Sequence, residues 1–230
     1  MTSTTESHVG IIIALDGPAG SGKSTTARMV AEKLGYIYID TGAMYRAVTL
    51  AAVRKGISLD DNELAALVGT ISVTLEQSPT GQRTLLDGQD VSAEIRLPEV
   101  TQHVSRVSAS AAVRDAMVAA QRAIGIRGGV VMDGRDIGTV VFPQAELKVF
   151  MTASIDERAK RRASELQRKG IDTSAEIIAI EIEERDRYDS NREISPLRQA
   201  SDARLLDTSS LLPEEQAEII TRWARERADV

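Results

Sequence analysis

Cysteine is absent from the 230-residue chain. That excludes a disulfide scaffold and any thiolate metal site, and it fits a reducing compartment. A basic surplus is missing too: 28 Lys and Arg stand against 34 Asp and Glu, a net charge of −6. A general nucleic-acid binder shows the opposite balance, so no nucleic-acid partner is expected, only a local basic pocket for a small anion. Long apolar runs are lacking; the early stretch at residues 9–15 is far too short to span a bilayer. Residues 1–8, MTSTTESH, lack the charged-then-apolar order of a signal peptide. A cytoplasmic protein with no membrane partner is the expectation. The two histidines, His8 and His103, have no partner at metal-ligand spacing and are expected to be ordinary surface residues. What is present, 42% hydrophobic and 27% charged residues, suits an ordinary globular chain. Its length fits one α/β domain with insertions, or two small domains.

Short β-branched runs at residues 11–16, 36–40, 130–133, 147–151 and 204–207 carry the signature of buried parallel strands. Helical patterns fall between them, which predicts a parallel sheet with crossover helices. Ligands of such sheets bind beyond the carboxyl ends of the strands, so Asp16, Asp40 and Asp133 are expected on the ligand side. Ser154 with Glu157, and Thr173 with Glu176, match the capping box. Pro213 fits the first turn of a C-terminal helix, and Asp60 is expected to cap a helix through Leu67.

Two segments interrupt the alternation. Residues 71–95 read as a small antiparallel insert, with turns at 79–81 and at Asp87 and Gly88. Half of residues 156–192 are Asp, Glu, Lys or Arg, which a deep core excludes, so a solvated helical excursion is expected. The organisation is core at 9–70, 101–155 and 193–230, with an insert at 71–100 and a helical excursion at 156–192.

Gly17, Pro18, Ala19, Gly20, Ser21, Gly22, Lys23 and Ser24 fit G-x-x-x-x-G-K-[ST], between a strand and a helix. Glycines let backbone N–H groups wrap a β-phosphate without a clashing Cβ. Lys23 would reach the β- and γ-phosphates, Ser24 would hold Mg²⁺, and the helix N-terminus would face the anion. A nucleoside triphosphate is implied, not yet a reaction. A GTPase would need a guanine reader such as N-K-x-D, which the only asparagines, Asn62 and Asn191, do not supply. A small-molecule kinase would need a second, acceptor site.

Thr41 is expected to cap the helix after the second strand. On that helix Tyr45 offers an aromatic wall and Arg46 a bidentate grip on phosphate, though a capped helix with a surface arginine reads equally from these residues. Asp133, Arg135 and Asp136 lie in a glycine-flanked turn, where two carboxylates need cations or donors; a local salt bridge would also satisfy them. Ser105 to Arg114 precedes a helix with a stripe of Val113, Met117, Ala120 and Ile124, and sequence physics alone says little of Ser105 or Arg114. Arg158, Arg161 and Arg162 share one helix face, an arrangement that an anion or simple solvation would relieve. Ile178, Ile182, Arg185, Asp189 and Arg192 form a stripe that starts apolar and ends charged, as if leaving a core for a polar cleft.

Five segments together carry a family resemblance: GPAGSGKST (17–25), DTGAMYR (40–46), DGRDIGTVVFP (133–143), RDRYDSNR (185–192) and DARLLDTS (202–209). The chain resembles the bacterial cytidylate kinases, nucleoside monophosphate kinases, from about residue 10 to its end. The resemblance implies a P-loop fold of five parallel strands, a β-containing acceptor insert and a mobile lid. It implies transfer from ATP to CMP or dCMP with Mg²⁺, by a monomer. ATP would be held by residues 17–25, Thr25 included, and by Arg158 and Arg162. Ser105, Arg114 and Asp136 would read cytosine; Thr41, Arg185 and Asp189 would hold the sugar beside Tyr45; Arg46, Arg135 and Arg192 would hold the acceptor phosphate. Lys23, Asp133, Arg135 and Arg192 would serve catalysis. Thr41 stands where some relatives carry serine, and Ser195 where alanine is common. Kinases of UMP, AMP or shikimate share the P-loop core, but the insert and the DGRD stretch favour CMP. A nucleotide-binding regulator would bind ATP without transfer and would not need so many acceptor-side arginines.

Overall fold

The β-branched runs form strands because both faces of a central parallel sheet are buried. The computed structural model describes residues 10–79, 81–168 and 170–228; His8, Val9 and Thr80 of the expectations above lie outside them. In chain order the elements are β1 (Ile12–Asp16), α1 (Lys23–Leu34), β2 (Ile37–Asp40), α2 (Thr41–Lys55), α3 (Asp61–Val68), β3 (Val73–Ser78), β4 (Gly81–Leu86) and β5 (Gln89–Asp90). A 3₁₀ turn (Glu94–Arg96), α4 (Pro98–Val107), α5 (Ala111–Gly125), β6 (Val130–Gly134) and a π-helical turn (Ile137–Val141) follow. The chain continues through β7 (Leu147–Thr152), α6 (Ile155–Arg168), α7 (Ala175–Asn191), β8 (Arg204–Asp207) and α8 (Pro213–Ala228).

The five expected core strands form one parallel sheet in the order β2-β6-β1-β7-β8. Period-two alternation divides its side chains between two layers. Ile13, Leu15, Val131, Val149 and Met151 pack against α1 and α8 through Ala27, Val30, Ala217 and Ile220. Ala14, Ile39, Val130 and Met132 face Val118, Ile137 and Val141 on the other side. Register decides what the carboxyl end presents: Asp40 and Leu15 both flank Asp133, and Asp16 lies beside Gly134.

Helix α2 is buried nearly all round, from Ala43 to Ala52, and forms a second core with α3, α4, α5 and the small sheet β3-β4-β5. That antiparallel sheet also shields the free edge of β2. Gln77 Nε2 donates to the Tyr38 carbonyl at 3.0 Å, and Asp40 N–H donates to Gln82 Oε1 at 3.0 Å. The two glutamines face each other across β3 and β4, so they occupy the edge without extending the ladder. The charged excursion forms α6 and α7, which share a separate small core of Ala159, Ile178 and Ile182. Among the described residues no helix is long and apolar enough to cross a membrane.

Several local expectations are corrected. Asp40, not Thr41, caps α2: its carboxylate accepts from Ala43 N–H at 3.0 Å, and Thr41 is the first helical residue. A carboxylate at the strand end competes successfully for that role. Helix α7 is capped by Ser174, which accepts from Ile177 N–H, so the box begins one residue later than Thr173. Ser154 accepts from Glu157 N–H at 3.3 Å, but Glu157 pairs with Arg161 instead of completing the box. Ser105 lies in α4 and Arg114 inside α5, not in a segment ahead of a helix. Ile124 is exposed, because Gln121 and Gly125 take the inner face near the helix end. Asp60 and Pro213 open α3 and α8 as expected.

The junction of β1 with the loop that follows admits only glycine. Gly17 has φ +147°, and a Cβ there would lie 2.0 Å from the Met151 carbonyl oxygen on neighbouring β7. Gly17→Ala is expected to lower stability by about 3 kcal/mol or more, measured as a shift in the urea midpoint. A midpoint equal to that of the wild-type protein would contradict this packing.

Candidate active site

The loop after β1 turns through positive φ at Gly17, Gly20 and Gly22 and delivers the chain to α1. No side chain caps α1, so its first N–H groups stay open toward the loop. Lys23 folds over the loop, donating to the Pro18 carbonyl at 2.6 Å and to Ser21 Oγ at 3.2 Å. Burial, then the Arg135 charge, pull its ammonium well below the ordinary lysine range. An anion in the cradle would restore that charge.

At the mouth of the loop Ser24 Oγ donates to Asp133 Oδ2 at 2.6 Å, and Tyr38 Oη to Oδ1 at 3.2 Å. Thr41 Oγ1 donates to the Asp133 carbonyl at 2.7 Å. Burial, then the Asp40 charge, push the Asp133 carboxyl up to about 6. A hydroxyl and a carboxylate converging beside a phosphate cradle are hard oxygen donors that suit a divalent cation held mainly by phosphates and water.

Facing the loop is a crowd of arginines. Burial first, with neighbouring arginines such as Arg135 and Arg162 adding to it and Asp40 and Asp189 opposing, pulls Arg46 down to about 10 and Arg185 to about 9. Arg46 donates to Thr101 Oγ1 at 2.8 Å, Arg135 to Asp189 at 3.1 Å, and Arg192 to the Ser195 carbonyl at 2.7 Å. Arg185 Nε and Arg192 Nη2 are buried with no hydrogen-bond partner among the described residues. Buried donors left open beside like charges fit an absent anion.

Beyond the arginines lies a buried polar niche. Arg114, 2% exposed, donates to Asp136, which is 4% exposed. Its other nitrogen donates to the Ser108 carbonyl at 3.2 Å, and Ser108 Oγ donates to the Ser105 carbonyl at 3.0 Å. The guanidinium stacks 5.4 Å from the centre of the Tyr45 ring. Tyr45 Oη faces Gln121, and Arg114 Nε has no hydrogen-bond partner among the described residues. Asp189 is buried against Arg135, at the charged end of the α7 stripe.

A family model described as cytidylate kinase matches residues 13–226. The chain belongs to the cytidylate kinase family. It is 53% identical over 218 residues to a cytidylate kinase of Lysinibacillus sphaericus, covering 94% of this chain and 97% of that one. It is 54% identical over 206 residues to a cytidylate kinase of Enterococcus faecalis, covering 89% and 91%. A solved structure of an uncharacterized protein from Eubacterium ventriosum is similar at TM-score 0.52 and 13% identity, over 94% of this chain and 99% of that chain; this shows likeness of fold alone.

Of the residues expected from the sequence, this cytidylate kinase family member links Thr41, Tyr45, Arg46, Arg114, Asp133, Arg135, Asp136, Arg185, Asp189 and Arg192 by hydrogen bonds and charge interactions that reach Lys23. Arg158 and Arg162 of α6 behave differently from each other. Arg158 is buried, donating to the Ala19 carbonyl at 3.1 Å and to Asp186, so it braces the loop. Arg162 pairs with Glu165 at the surface. Arg161, which the sequence grouped with Arg158 and Arg162 on one helix face, instead donates to the Thr208 carbonyl at 2.6 Å, while Thr208 Oγ1 donates to the Ser21 carbonyl at 2.9 Å. The sequence reading missed Tyr38 and Gln216, which accepts from Thr26 at 2.7 Å. Only the DARLLDTS match pointed toward Thr208; nothing marked the others.

Asp16 departs most from expectation. It ends β1 but turns from the cradle, accepting from Ile137 N–H and Gly138 N–H, each at 2.8 Å. Burial pushes its carboxyl from 3.8 up to about 6; the two N–H bonds and Lys23 oppose the shift and Asp136 adds to it. Between pH 4 and 6 the folded state keeps a proton that the unfolded chain has released. Stability from this group is therefore full below about pH 4 and declines as pH rises through about 6. From pH 4 to 7 the wild-type protein is expected to lose up to about 3 kcal/mol more than Asp16→Asn, measured by urea titration. Parallel pH profiles would show that Asp16 titrates normally.

Proposed function

We propose that the protein transfers the γ-phosphoryl group of ATP to CMP or dCMP, giving ADP and CDP or dCDP. The observation that carries this reading is the buried Arg114–Asp136 pair beside Tyr45, separated from the phosphate loop by arginines with open donors. Residues 17–25 cradle the ATP phosphates, and Lys23 reaches the β- and γ-phosphates. Arg158 steadies that cradle, and Arg162 approaches ATP when residues 156–192 close as a lid. Ser24 would hold Mg²⁺ with Asp133 beside it, and the cation would supply positive charge at the phosphate oxygens. Arg46, Arg135 and Arg192 grip the acceptor phosphate; Thr41, Arg185 and Asp189 hold the sugar.

Cytosine presents an N4 donor beside an N3 acceptor. Asp136 accepts from the first and Arg114 donates to the second, with Ser105 at the edge of the niche. Uracil reverses the pattern and would place a carbonyl against the Asp136 carboxylate. With both substrates held, an acceptor phosphate oxygen attacks the γ-phosphorus in line and ADP leaves. No covalent protein nucleophile is needed, only position and positive charge. Residues 71–100 serve as the acceptor insert on the remaining core. Lid closure excludes water, so the phosphoryl group passes to CMP in preference to solvent. The enzyme acts as a cytoplasmic monomer.

A coupled ADP-release assay with ATP and Mg²⁺ tests this, offering CMP, dCMP, UMP, AMP and shikimate in parallel. Strong turnover with CMP and dCMP and little with the rest is expected. Turnover with another acceptor would discard the roles of Ser105, Arg114 and Asp136; ATP binding with no turnover would make the protein a regulator. Lys23→Ala is expected to lower kcat by about a thousandfold or more with the fold intact, and a rate near that of the wild-type protein would sink the phosphate-cradle assignment. Asp136→Asn is expected to lower the CMP-over-UMP ratio of kcat/KM by about tenfold or more.

A further inference from the structure

Asp16 is a buried carboxylate one residue before the phosphate loop, where negative charge opposes the binding of ATP. Both its oxygens are taken by backbone donors: Oδ1 by Ile137 N–H and Oδ2 by Gly138 N–H, each at 2.8 Å. These are orphan N–H groups of the π-helical turn Ile137–Val141, which has no side-chain cap from its own preceding residue. That preceding residue is Asp136, held at φ −149° and ψ 23° between β6 and the turn. A Cβ on Gly138 would stand 3.4 Å from Asp16 Oδ2 and 3.1 Å from Lys148 Cδ, so the turn is seated closely against the carboxylate from β1 and the lysine stem from β7. On the far side the Asp136 carboxylate accepts from Arg114, with Arg192 and Tyr45 near enough to feel its charge.

From this arrangement we infer that Asp16 is a positioning residue for the acceptor base: by capping the turn at Ile137 and Gly138 it fixes Asp136 and, through it, Arg114 in the geometry that selects cytosine. The same residue ends the strand that delivers the phosphate loop, so one side chain sets the base niche relative to the donor phosphates. The inference rests on the base-reading role proposed for Asp136 and Arg114. An amide in place of the carboxylate can accept one of the two N–H groups but presents a donor to the other.

The test compares Asp16→Asn, Gly138→Ala and Asp136→Asn in the intact enzyme. Gly138→Ala keeps the carboxylate and disturbs the same seat from the opposite side. Hydrogen exchange at the Ile137 and Gly138 amides and steady-state kinetics with ATP, CMP and UMP are measured. Asp16→Asn is expected to speed exchange at both amides and raise KM for CMP about tenfold. It is also expected to lower CMP-over-UMP selectivity by a similar factor while KM for ATP stays within about twofold. Gly138→Ala is expected to repeat that pattern, and serves alone if Asp16→Asn does not fold. Equal losses toward ATP and CMP, or unchanged selectivity in a folded Asp16→Asn while Asp136→Asn loses it, overturns the positioning role alone. Unchanged selectivity in Asp136→Asn overturns the base reading on which the inference stands.

Discussion

Ser24 Oγ and Tyr38 Oη both donate to the Asp133 carboxylate, and Thr41 Oγ1 donates to its main-chain carbonyl. Three elements far in sequence from Asp133 therefore meet at it: the start of α1, strand β2 and the start of α2. They meet because β6 lies between β1 and β2, with Asp133 level with Leu15 and Asp40. A slip of one residue in β6 would turn Asp133 to the other face of the sheet and put Met132 or Gly134 in its place. The register is held by burial on both faces, since Val131 belongs to the layer under α1 and Met132 to the layer under α5. Apolar packing far below the site thus decides which oxygen faces the phosphate loop.

The arginines present the opposite problem, because a scaffold must hold like charges together without their ligand. Arg135 is offset by Asp189, Arg114 by Asp136 and Arg158 by Asp186. Those carboxylates come from α7 and the β6 turn, and each neutralises one cation without filling its donors. Arg185 and Arg192 keep buried nitrogens with no hydrogen-bond partner among the described residues. Fully paired, the cluster would be a salt-bridge network of little use to a substrate; wholly unpaired, it would repel itself open. The partial pairing leaves net positive charge aimed at one space, which is what a transferring phosphoryl group requires.

The parallel sheet was legible because strands buried on both faces need continuous short apolar runs, and four of the five runs stop at a polar residue. The phosphate loop was legible because its backbone geometry demands glycine at fixed spacing; Gly17, Gly20 and Gly22 all adopt positive φ. Contacts set by long-range partners were not. Arg114 sits next to Val113 in sequence and gave no sign of its 2% exposure, since its partner Asp136 arrives from another element. Asp40 displaced Thr41 as the cap because strand geometry aims the carboxylate at Ala43 N–H. Asp16 looked like a ligand-side residue from its strand end, and only the close seat of the turn after Asp136 shows where its oxygens go. Ile124 fitted a helical stripe whose last turn lies beyond the core.

The small sheet adds a constraint of a different kind. Two side-chain bonds, from Gln77 and to Gln82, tie it to β2, each contributing about 1 kcal/mol, and Leu75 packs against the core around Ile39. The larger apolar hold of residues 71–100 is on α2, through Leu86, Val91 and Ile95 packed with Met44, Val48 and Ala51. The two attachments differ in strength, because a shared core of that size far outweighs two partly exposed hydrogen bonds. Displacing the insert relative to the five-stranded sheet therefore breaks the glutamine bonds first and leaves the core with α2 intact. Arg46 rides on α2 and donates to Thr101 on α4, within that same core. Any movement of that shared core relative to the five-stranded sheet has to carry Arg46 with it.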